Sequence, residues 1–244
     1  QFAWQNSWGL TTRTIGVMTM VHGDNDGVVF PPRVAPTQVV IVPLYFKDRV
    51  NNETMNQKAK ELYELLSDAG IRAELDTRDY KNPGFKFSYW EVRGVPLRIE
   101  LGPKDLEQGQ ITLVKRYNRE KFALSLTDLK GSDIQTVLDN IQQEMFNRAK
   151  EERDTRMPNV LDWSEFMTEL NKGNMCLAPW CDRPECEEQI KQRSKRDSNE
   201  QEALLTASAK SLCIPLEQPA LPANQKCVNC DHDAKLWCLF GRSY

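Results

Sequence analysis

Two cysteine pairs near the end of the chain have the type and spacing that most directly suggest chemistry. Cys181 and Cys186 are separated by four residues, Cys227 and Cys230 by two, and 40 residues lie between the pairs. Paired thiolates of this kind supply the four soft ligands of a tetrahedral structural zinc site. The sequence therefore predicts that these four cysteines bind Zn²⁺.

The remaining cysteines fit the same interpretation. The chain has seven cysteines, all in its C-terminal third, and their odd number favours a metal site in a reducing compartment over a disulfide framework. Apolar neighbours predict that three of them are buried core thiols: Cys176, Cys213 and Cys238. His232 is an alternative metal ligand beside the second pair.

A second motif, Gly9–Gly16 with the sequence GLTTRTIG, joins small residues to an arginine. Glycines allow a flat ligand to approach the backbone, threonine hydroxyls can bond ribose or phosphate oxygens, and an arginine can stack on a base. This composition is typical of a nucleotide site without a phosphate-cradling loop, although a buried turn carrying a surface arginine explains it too. The apolar run Ile15–Val21 predicts a buried element, either about two helical turns or a central strand.

Composition limits what the rest of the chain can do. Thirty-two Lys and Arg against 35 Asp and Glu give a net charge of −3, so nucleic-acid binding would need local basic patches. The 40% hydrophobic and 27% charged residues describe an ordinary globular protein and exclude a largely disordered one. The longest apolar stretch, Val39–Phe46, is far shorter than the roughly 20 residues that cross a bilayer, so no membrane partner is predicted.

Residues 37–150 have the pattern of an α/β domain. A buried strand at Val39–Val42, a helical face from Met55 to Ala69 ended by Gly70, and a strand at Ile71–Leu75 predict a βαβ unit with parallel strands. Further strands are predicted at residues 95–101, 111–114 and 122–126, and a helix at residues 132–149. The prediction is a mixed sheet of about five strands.

Residues 151–244 predict a smaller α+β domain. Its helices are expected at residues 164–171 and 187–195, and its strands at residues 175–178 and 236–240. The polar, small residues 197–208 predict a mobile loop.

Several segments together resemble a known family. The run Gln5–Met18, with Val21–Asp24 and Pro31–Pro36, resembles motif 3 of class II aminoacyl-tRNA synthetases, most closely prolyl-tRNA synthetase of the eukaryotic and archaeal type. Further matching segments are Pro83–Phe87, Trp90–Glu91, Gly94–Glu100, Gly102–Asp105 and Gly241–Tyr244. Because the chain lacks an initiator Met and the family's motifs 1 and 2, it is expected to be the tail of a longer polypeptide.

The resemblance implies three regions. Residues 1–36 would be the end of the class II catalytic antiparallel sheet, residues 37–150 an α/β anticodon-binding domain, and residues 151–244 an α+β zinc-binding C-terminal domain. The last domain often has a Cys-x-Cys second pair in this family, whereas Cys227 and Cys230 here are spaced Cys-x-x-Cys.

The resemblance also implies an activity. The full-length protein would be a cytoplasmic proline–tRNA ligase that activates L-proline with ATP and Mg²⁺ to prolyl-adenylate and transfers the prolyl group to tRNA(Pro). It would dimerise through its catalytic domain, and this chain alone would be inactive. The alternative is a stand-alone tRNA-binding or regulatory module that keeps the synthetase tail without catalysis.

In the family's motif 3, Arg13 would be the catalytic arginine that stacks on the adenine and faces the ATP phosphates, with Thr11 bonding the nucleotide beside it. Ser7, Trp8 and Gly9 would lie on a strand that floors the active site near the proline.

Other residues match the family's tRNA contacts. Glu91, Arg98 and Lys104 match positions that contact the two anticodon guanines, and Lys86 lies in the same part of the sequence. The basic-aromatic run at residues 115–121, KRYNREK, offers Arg116 or Lys121 as a further contact, and the sequence does not choose between them. Solvated surface charges are the alternative explanation for each of these residues.

Overall fold

The computed structural model describes residues 3, 5–45, 49–195 and 208–242. The chain divides into two compact units, residues 1–149 (the N-terminal unit) and residues 150–244 (the C-terminal unit). Residues 197–207 of the predicted loop and the final Tyr244 lie outside the described ranges. No helix within these ranges is both long and apolar enough to span a membrane.

The N-terminal unit contains a βαβ arrangement followed by an antiparallel extension. Its elements are α1 Arg13–His22, β1 Val39–Pro43, α2 Arg49–Asp68, β2 Ala73–Leu75, α3 Pro83–Val92, β3 Leu97–Leu101, α4 Pro103–Glu107, β4 Gln110–Lys115, β5 Lys121–Ser125 and α5 Gly131–Thr155. The predicted strands and long helices are confirmed. Helices α3 and α4 were not predicted from the residue pattern; both begin at a proline, which is well suited to the first helical position because it needs no amide donor there.

The five strands form one mixed sheet in the order β2-β1-β3-β4-β5. Strand β1 pairs in parallel with β2 and β3, while β4 pairs antiparallel with β3 and β5. The predicted mixed five-stranded sheet is therefore confirmed.

The two faces of this sheet differ in their cover. Along β3, Leu97, Ile99 and Leu101 enter a large core under α2 and α5. Side chains alternate along a strand, so Arg98 and Glu100 face the opposite side. There a small cluster of β1 residues packs with side chains of α3, among them Phe87 and Trp90. We call this second surface the α3 face.

Helix α1 confirms the helical alternative for Ile15–Val21, but the prediction that this segment is buried is wrong. None of the α1 residues is buried, and Ile15 and Met20 are 59% and 78% exposed. The reason is that no described residue covers the outer apolar face of this helix. Described residues 5–36 also form no named strand, so the predicted end of a catalytic sheet stays a prediction.

The C-terminal unit is built on three antiparallel strands in the order β6-β8-β7. Its elements are α6 Trp163–Asn171, β6 Cys176–Trp180, α7 Pro184–Arg193, β7 Ala209–Cys213 and β8 Leu236–Arg242. Cys176 and Cys238 are buried as predicted, whereas Cys213 is exposed. Cys213 lies at the end of an edge strand where the pairing register shifts, and this position leaves its side chain uncovered.

Candidate nucleic-acid interface and metal centre

A cavity of about 360 Å³ lies on the α3 face of the sheet. Val40, Arg98, Val114 and Lys121 occur in register on four neighbouring strands and line its floor. Aromatic and acidic side chains of α3 also line it: Phe87, Trp90 and Glu91. The other lining residues are Asp26, Val95, Glu100, Lys115, Arg116 and Arg119. The register of the sheet thus brings together charges that are far apart in the sequence. We call this feature the α3-face cavity.

Arg98 is the centre of an ion-pair network in the α3-face cavity. Its Nη1 lies 2.6 Å from Glu91 Oε1, and its Nη2 lies 3.0 Å from Glu100 Oε1. Lys121 Nζ lies 2.7 Å from Glu100 Oε2. The Arg98 guanidinium also stacks over the Phe87 ring, 4.1 Å from its centroid. These contacts fix the orientation of the guanidinium before any ligand arrives.

The members of this network differ in their access to solvent. The side chains of Arg98 and Glu100 are 12% and 6% exposed, whereas those of Glu91 and Lys121 are 37% and 59% exposed. A guanine edge carries both hydrogen-bond acceptors and an amine donor. Carboxylate and cationic groups that converge on one cavity can therefore bond both kinds of group on a base that is splayed out of its stack.

The structure separates the predicted tRNA contacts into three kinds. It brings Glu91 and Arg98 together in the α3-face cavity. Lys104 is exposed in the first turn of α4 and is not among the described residues that line this cavity. Lys86 is only 1% exposed, and its Nζ donates to the backbone oxygen of Asp76 at 3.1 Å. Burial lowers the pKa of Lys86. Because its side chain is buried, Lys86 is part of the interior and does not form a contact at the surface.

Arg116 and Lys121, between which the sequence does not choose, both line the cavity but differ in their partners. Arg116 forms a bidentate pair with Asp24, at 2.6 and 2.7 Å, and donates from Nε to the Glu91 backbone oxygen at 3.0 Å. Its side chain is 3% exposed, so the guanidinium holds the loop after α1. Lys121 is 59% exposed, so its ammonium group is more accessible than the Arg116 guanidinium even though it pairs with Glu100.

Asp76 is a buried residue that sequence reasoning missed. It follows β2, accepts a hydrogen bond from Trp90 Nε1 at 2.8 Å and pairs with Arg78 Nη2 at 2.6 Å. Burial alone would raise the pKa of Asp76, but the hydrogen bonds from Arg78 and Trp90 lower it to about 2. An acidic residue directly after a parallel strand is the signal that could have found it.

The N-terminal motif is exposed in this structure. Residues 5–10, which include Ser7, Trp8 and Gly9, are extended without strand pairing, and Trp8 is 95% exposed. These residues pair with no other described residue, and a strand needs a neighbour to pair with, so the predicted strand stays a prediction. Thr11 precedes α1, and Arg13 is the first residue of that helix. Their nucleotide roles stay predictions.

The four predicted metal ligands converge in the C-terminal unit. The Sγ atoms of Cys181, Cys186, Cys227 and Cys230 all lie within 4.8 Å of one another. Cys186 Sγ is 3.6 Å from Cys227 Sγ and 3.7 Å from Cys230 Sγ, and Cys230 Sγ is 3.7 Å from Cys181 Sγ. A tetrahedron with metal–sulfur bonds of about 2.3 Å has edges of about 3.8 Å. The cluster could therefore hold a metal ion.

The two ligand pairs lie in two short segments of the C-terminal unit. Cys181 directly follows β6, Cys186 lies in the first turn of α7, and the second pair precedes β8 in a loop. Burial raises the pKa of Cys181 to about 11. Burial also opposes ionisation of Cys227, but backbone N–H groups of Asn229, Cys230 and Cys181 lower the pKa of this thiol. Backbone amides that donate to the sulfur atom stabilise its thiolate form, which is the form that binds a metal ion.

His232 is a neighbour of the cluster and not one of its four grouped ligands. Its Nδ1 lies 3.4 Å from Cys230 Sγ, and its Nε2 lies 2.7 Å from Arg183 Nη1. The amide of Asn229 donates to Cys186 Sγ at 3.4 Å. These contacts orient the sulfur atoms from outside the cluster, as hydrogen-bonding neighbours of metal ligands do in general.

An α/β domain with a charged cavity and a separate four-cysteine domain are the combination that the resemblance to class II aminoacyl-tRNA synthetases predicts. Residues 38–135 match the family model described as anticodon binding domain, and residues 163–244 match the model described as prolyl-tRNA synthetase, C-terminal. These matches and the relatives below show that the chain is similar to the C-terminal portion of prolyl-tRNA synthetases.

Curated relatives match the chain along its whole length. It is 45% identical over 251 residues to a putative proline–tRNA ligase of Saccharomyces cerevisiae and 43% identical over 244 residues to a cytoplasmic proline–tRNA ligase of Arabidopsis thaliana. It is 42% identical over 250 residues to a bifunctional glutamate/proline–tRNA ligase of Drosophila melanogaster. The chain spans 36%, 44% and 14% of these relatives, respectively.

Proposed function

We propose that this chain is the tRNA-reading portion of a proline–tRNA ligase. The ligase would join L-proline to ATP as prolyl-adenylate, release pyrophosphate and transfer the prolyl group to the terminal ribose of tRNA(Pro). The two family matches and the names of the relatives support this proposal. A cytoplasmic location follows the name of the Arabidopsis relative and the absence of disulfides among the described cysteines.

The observation that carries the proposal is the ion-pair network of Arg98. Because Glu91 and Glu100 already hold the guanidinium, it can bond a guanine without first losing conformational freedom. Glu91 would accept the amine hydrogens of the base, while Arg98 and Lys121 would donate to its acceptors. Lys104 would contact the same RNA from the first turn of α4.

The four cysteines would hold a structural Zn²⁺. Four thiolates in tetrahedral arrangement suit this ion, and all four positions are filled by the protein, which leaves no open coordination position for catalysis. When bound, the ion would supply folding free energy by joining the segment after β6 to the loop before β8.

Residues 1–36 would complete the catalytic domain of the ligase. Arg13 would stack on the adenine and face the phosphates with their Mg²⁺, Thr11 would bond the nucleotide, and Ser7, Trp8 and Gly9 would lie near the proline. The exposed apolar side chains of α1 support this role, because such a surface is expected to pack against further protein. The homodimer would also form through that domain.

Binding of tRNA by the 244-residue chain tests the proposal. At fixed salt, the chain is expected to prefer tRNA(Pro) over the same tRNA with its anticodon guanines replaced. Replacing Arg98 with Ala should weaken binding to tRNA(Pro) by about 1–3 kcal/mol and remove this preference, and Arg98→Lys should do the same in part because it lacks the planar fork.

Fluorescence anisotropy with the two tRNAs provides the measurement. Arg153→Ala is the matched control, because this exposed arginine of α5 lies outside the cavity and pairs with its neighbour Asp154. An equal loss of affinity for both tRNAs in the Arg98 variants would assign Arg98 to a phosphate contact and contradict base reading.

A further inference from the structure

A row of alternating cations and aromatic rings lies on the surface around α3. It starts in the loop after β2 and continues along one side of the helix. Its members are Arg78, Tyr80, Lys81, Phe85, Tyr89 and Arg93, which we call the cation–aromatic ladder.

Short distances connect its members. Arg93 and Arg78 lie over the Tyr89 ring, 3.5 and 4.1 Å from its centroid. Lys81 Nζ lies 4.5 Å from the centroid of Phe85 and 5.5 Å from that of Tyr80. Each cation is therefore adjacent to at least one ring.

Local structure holds the ladder in place. The side chain of Asn82 caps α3 by accepting the Phe85 amide at 2.8 Å, which fixes the start of the helix. Phe85 and Tyr89 are four residues apart on one helical face and stack with their centroids 6.3 Å apart. Asp76 fixes Arg78 through a 2.6 Å ion pair.

Two rings of the ladder remain open to solvent. Tyr80 is 75% exposed and Phe85 is 44% exposed. Lys81 and Arg93 form no salt bridge with any residue that the structure describes. Surface contacts between a cation and a ring contribute only about 0.5–1 kcal/mol each, so stability alone accounts poorly for exposed rings of this size.

The ladder is continuous with the α3-face cavity. Tyr89 makes an edge-to-face contact with Trp90, at a centroid distance of 5.1 Å, and Trp90 lines that cavity. A strand of RNA whose bases enter the cavity would therefore reach the ladder with its next nucleotides.

We propose that the cation–aromatic ladder binds unpaired nucleotides that flank the bases held in the α3-face cavity. This inference rests on the proposed function, since it requires that the cavity bind tRNA. Exposed rings would stack on bases of any sequence, while Lys81 and Arg93 would contact the phosphates between them. An acidic peptide would match the cations but would leave the ring faces without partners, so the alternation favours RNA.

Substitution of the open rings tests this proposal in the whole chain. Tyr80→Ala and Phe85→Ala should each raise the Kd for tRNA(Pro) about fivefold or more, the lower end of the effect of one lost base stack. Both variants should weaken binding equally for tRNA(Pro) and for the tRNA with replaced anticodon guanines. Phe85→Trp, which keeps a stacking surface, should restore binding.

The controls separate stacking from charge and from folding. Phe146→Ala removes a ring that is 57% exposed on α5 and should leave the Kd unchanged. Inorganic polyphosphate and polyglutamate lack bases, so the ring variants should bind both as the unsubstituted chain does.

Distinct results would overturn the inference and the proposed function. If Arg98→Ala weakens tRNA binding while the ring variants behave like Phe146→Ala, the ladder proposal is wrong and the cavity proposal stands. If the ring variants lose as much affinity for polyphosphate as for tRNA(Pro), charge alone explains the binding and the ladder proposal is wrong. If they lose as much affinity for polyglutamate, the surface binds an acidic protein and the ladder proposal is wrong. If no tRNA binds, both proposals fail.

Discussion

The two candidate sites obtain their geometry in different ways. The α3-face cavity takes Glu91 from helix α3, Arg98 and Glu100 from β3, and Lys121 from β5 on the far side of β4, so sheet register sets the distances. The cysteine cluster takes its ligands from two short segments whose spacing already brings each pair together. A site whose ligands lie close together in the sequence can be predicted from the sequence, whereas a site assembled by strand pairing cannot.

The sites also differ in what stabilises them. The core of the N-terminal unit is apolar and packs one face of the sheet against α2 and α5. In the C-terminal unit, three of the proposed metal ligands are themselves part of the buried core: Cys181, Cys186 and Cys227. We therefore expect the first unit to fold independently of metal and the second to depend on it. The following predictions test this contrast, beginning with the largest effect.

Metal removal should separate the two units most strongly. Structural zinc contributes on the order of 10 kcal/mol in zinc-finger peptides, which is comparable to the whole stability of a domain. Chelation or Cys227→Ser should therefore unfold the C-terminal unit, while amides in β1 and β3 keep their protection from hydrogen exchange. Elemental analysis of protein purified without chelator should give about one zinc per chain.

Cys213→Ser is the matched control for this experiment, because Cys213 is an exposed thiol outside the cluster. It should leave both the zinc content and the hydrogen exchange unchanged. Metal-free protein with full protection of β6 and β8 would contradict the proposed metal dependence.

Removing apolar volume from the core of the N-terminal unit should destabilise that unit and leave the C-terminal unit unchanged. Ile99 is fully buried between α2 and α5 on the central strand β3. Replacing it with Ala should lower the free energy of unfolding of the N-terminal unit by about 2–5 kcal/mol. Urea titrations followed by amide exchange measure this loss, and Val92→Ala at an exposed position of α3 is the control. Loss of zinc in the Ile99 variant would show that the two units are not independent.

Asp76 should make the stability of the N-terminal unit depend on pH. Its pKa of about 2 in the folded chain lies below the ordinary value of an aspartate, so its contacts with Arg78 and Trp90 stabilise the fold above about pH 4 and lose this effect as the pH falls toward 2. Asp76→Asn should cost about 2 kcal/mol at pH 7. Urea titrations at several pH values should show the difference from the unsubstituted chain shrinking on acidification. A difference that stays constant with pH would point to lost packing instead of lost charge.

The smallest effect should distinguish the two exposed lysines near the proposed RNA site. Lys121→Ala should weaken tRNA(Pro) binding by about 1 kcal/mol because Lys121 lines the cavity. Lys104→Ala should have less effect, since Lys104 lies outside that lining. Anisotropy titrations with both variants measure the difference. A larger loss of affinity in Lys104→Ala than in Lys121→Ala would contradict this prediction and would favour Lys104, the contact that the family resemblance implies.

The sequence by itself determined the elements with strong periodicity and the sites with local spacing. The period-two pattern of residues 97–101 and the helical faces of α2 and α5 are directly legible because each reflects burial on one side. The same holds for the paired cysteines, since their spacing already satisfies half of a tetrahedral site.

Only the tertiary structure decided which charged residues share a site. Lys86, Arg116 and Lys121 look alike in the sequence, yet Lys86 is buried against Asp76, Arg116 is buried in a pair with Asp24, and Lys121 is exposed in the cavity beside Glu100. Their environments depend on contacts between residues up to 92 positions apart, and no local pattern records those contacts. The exposure of α1 and of Cys213 has the same origin, because cover from other elements, and not composition, determines whether an apolar residue is buried.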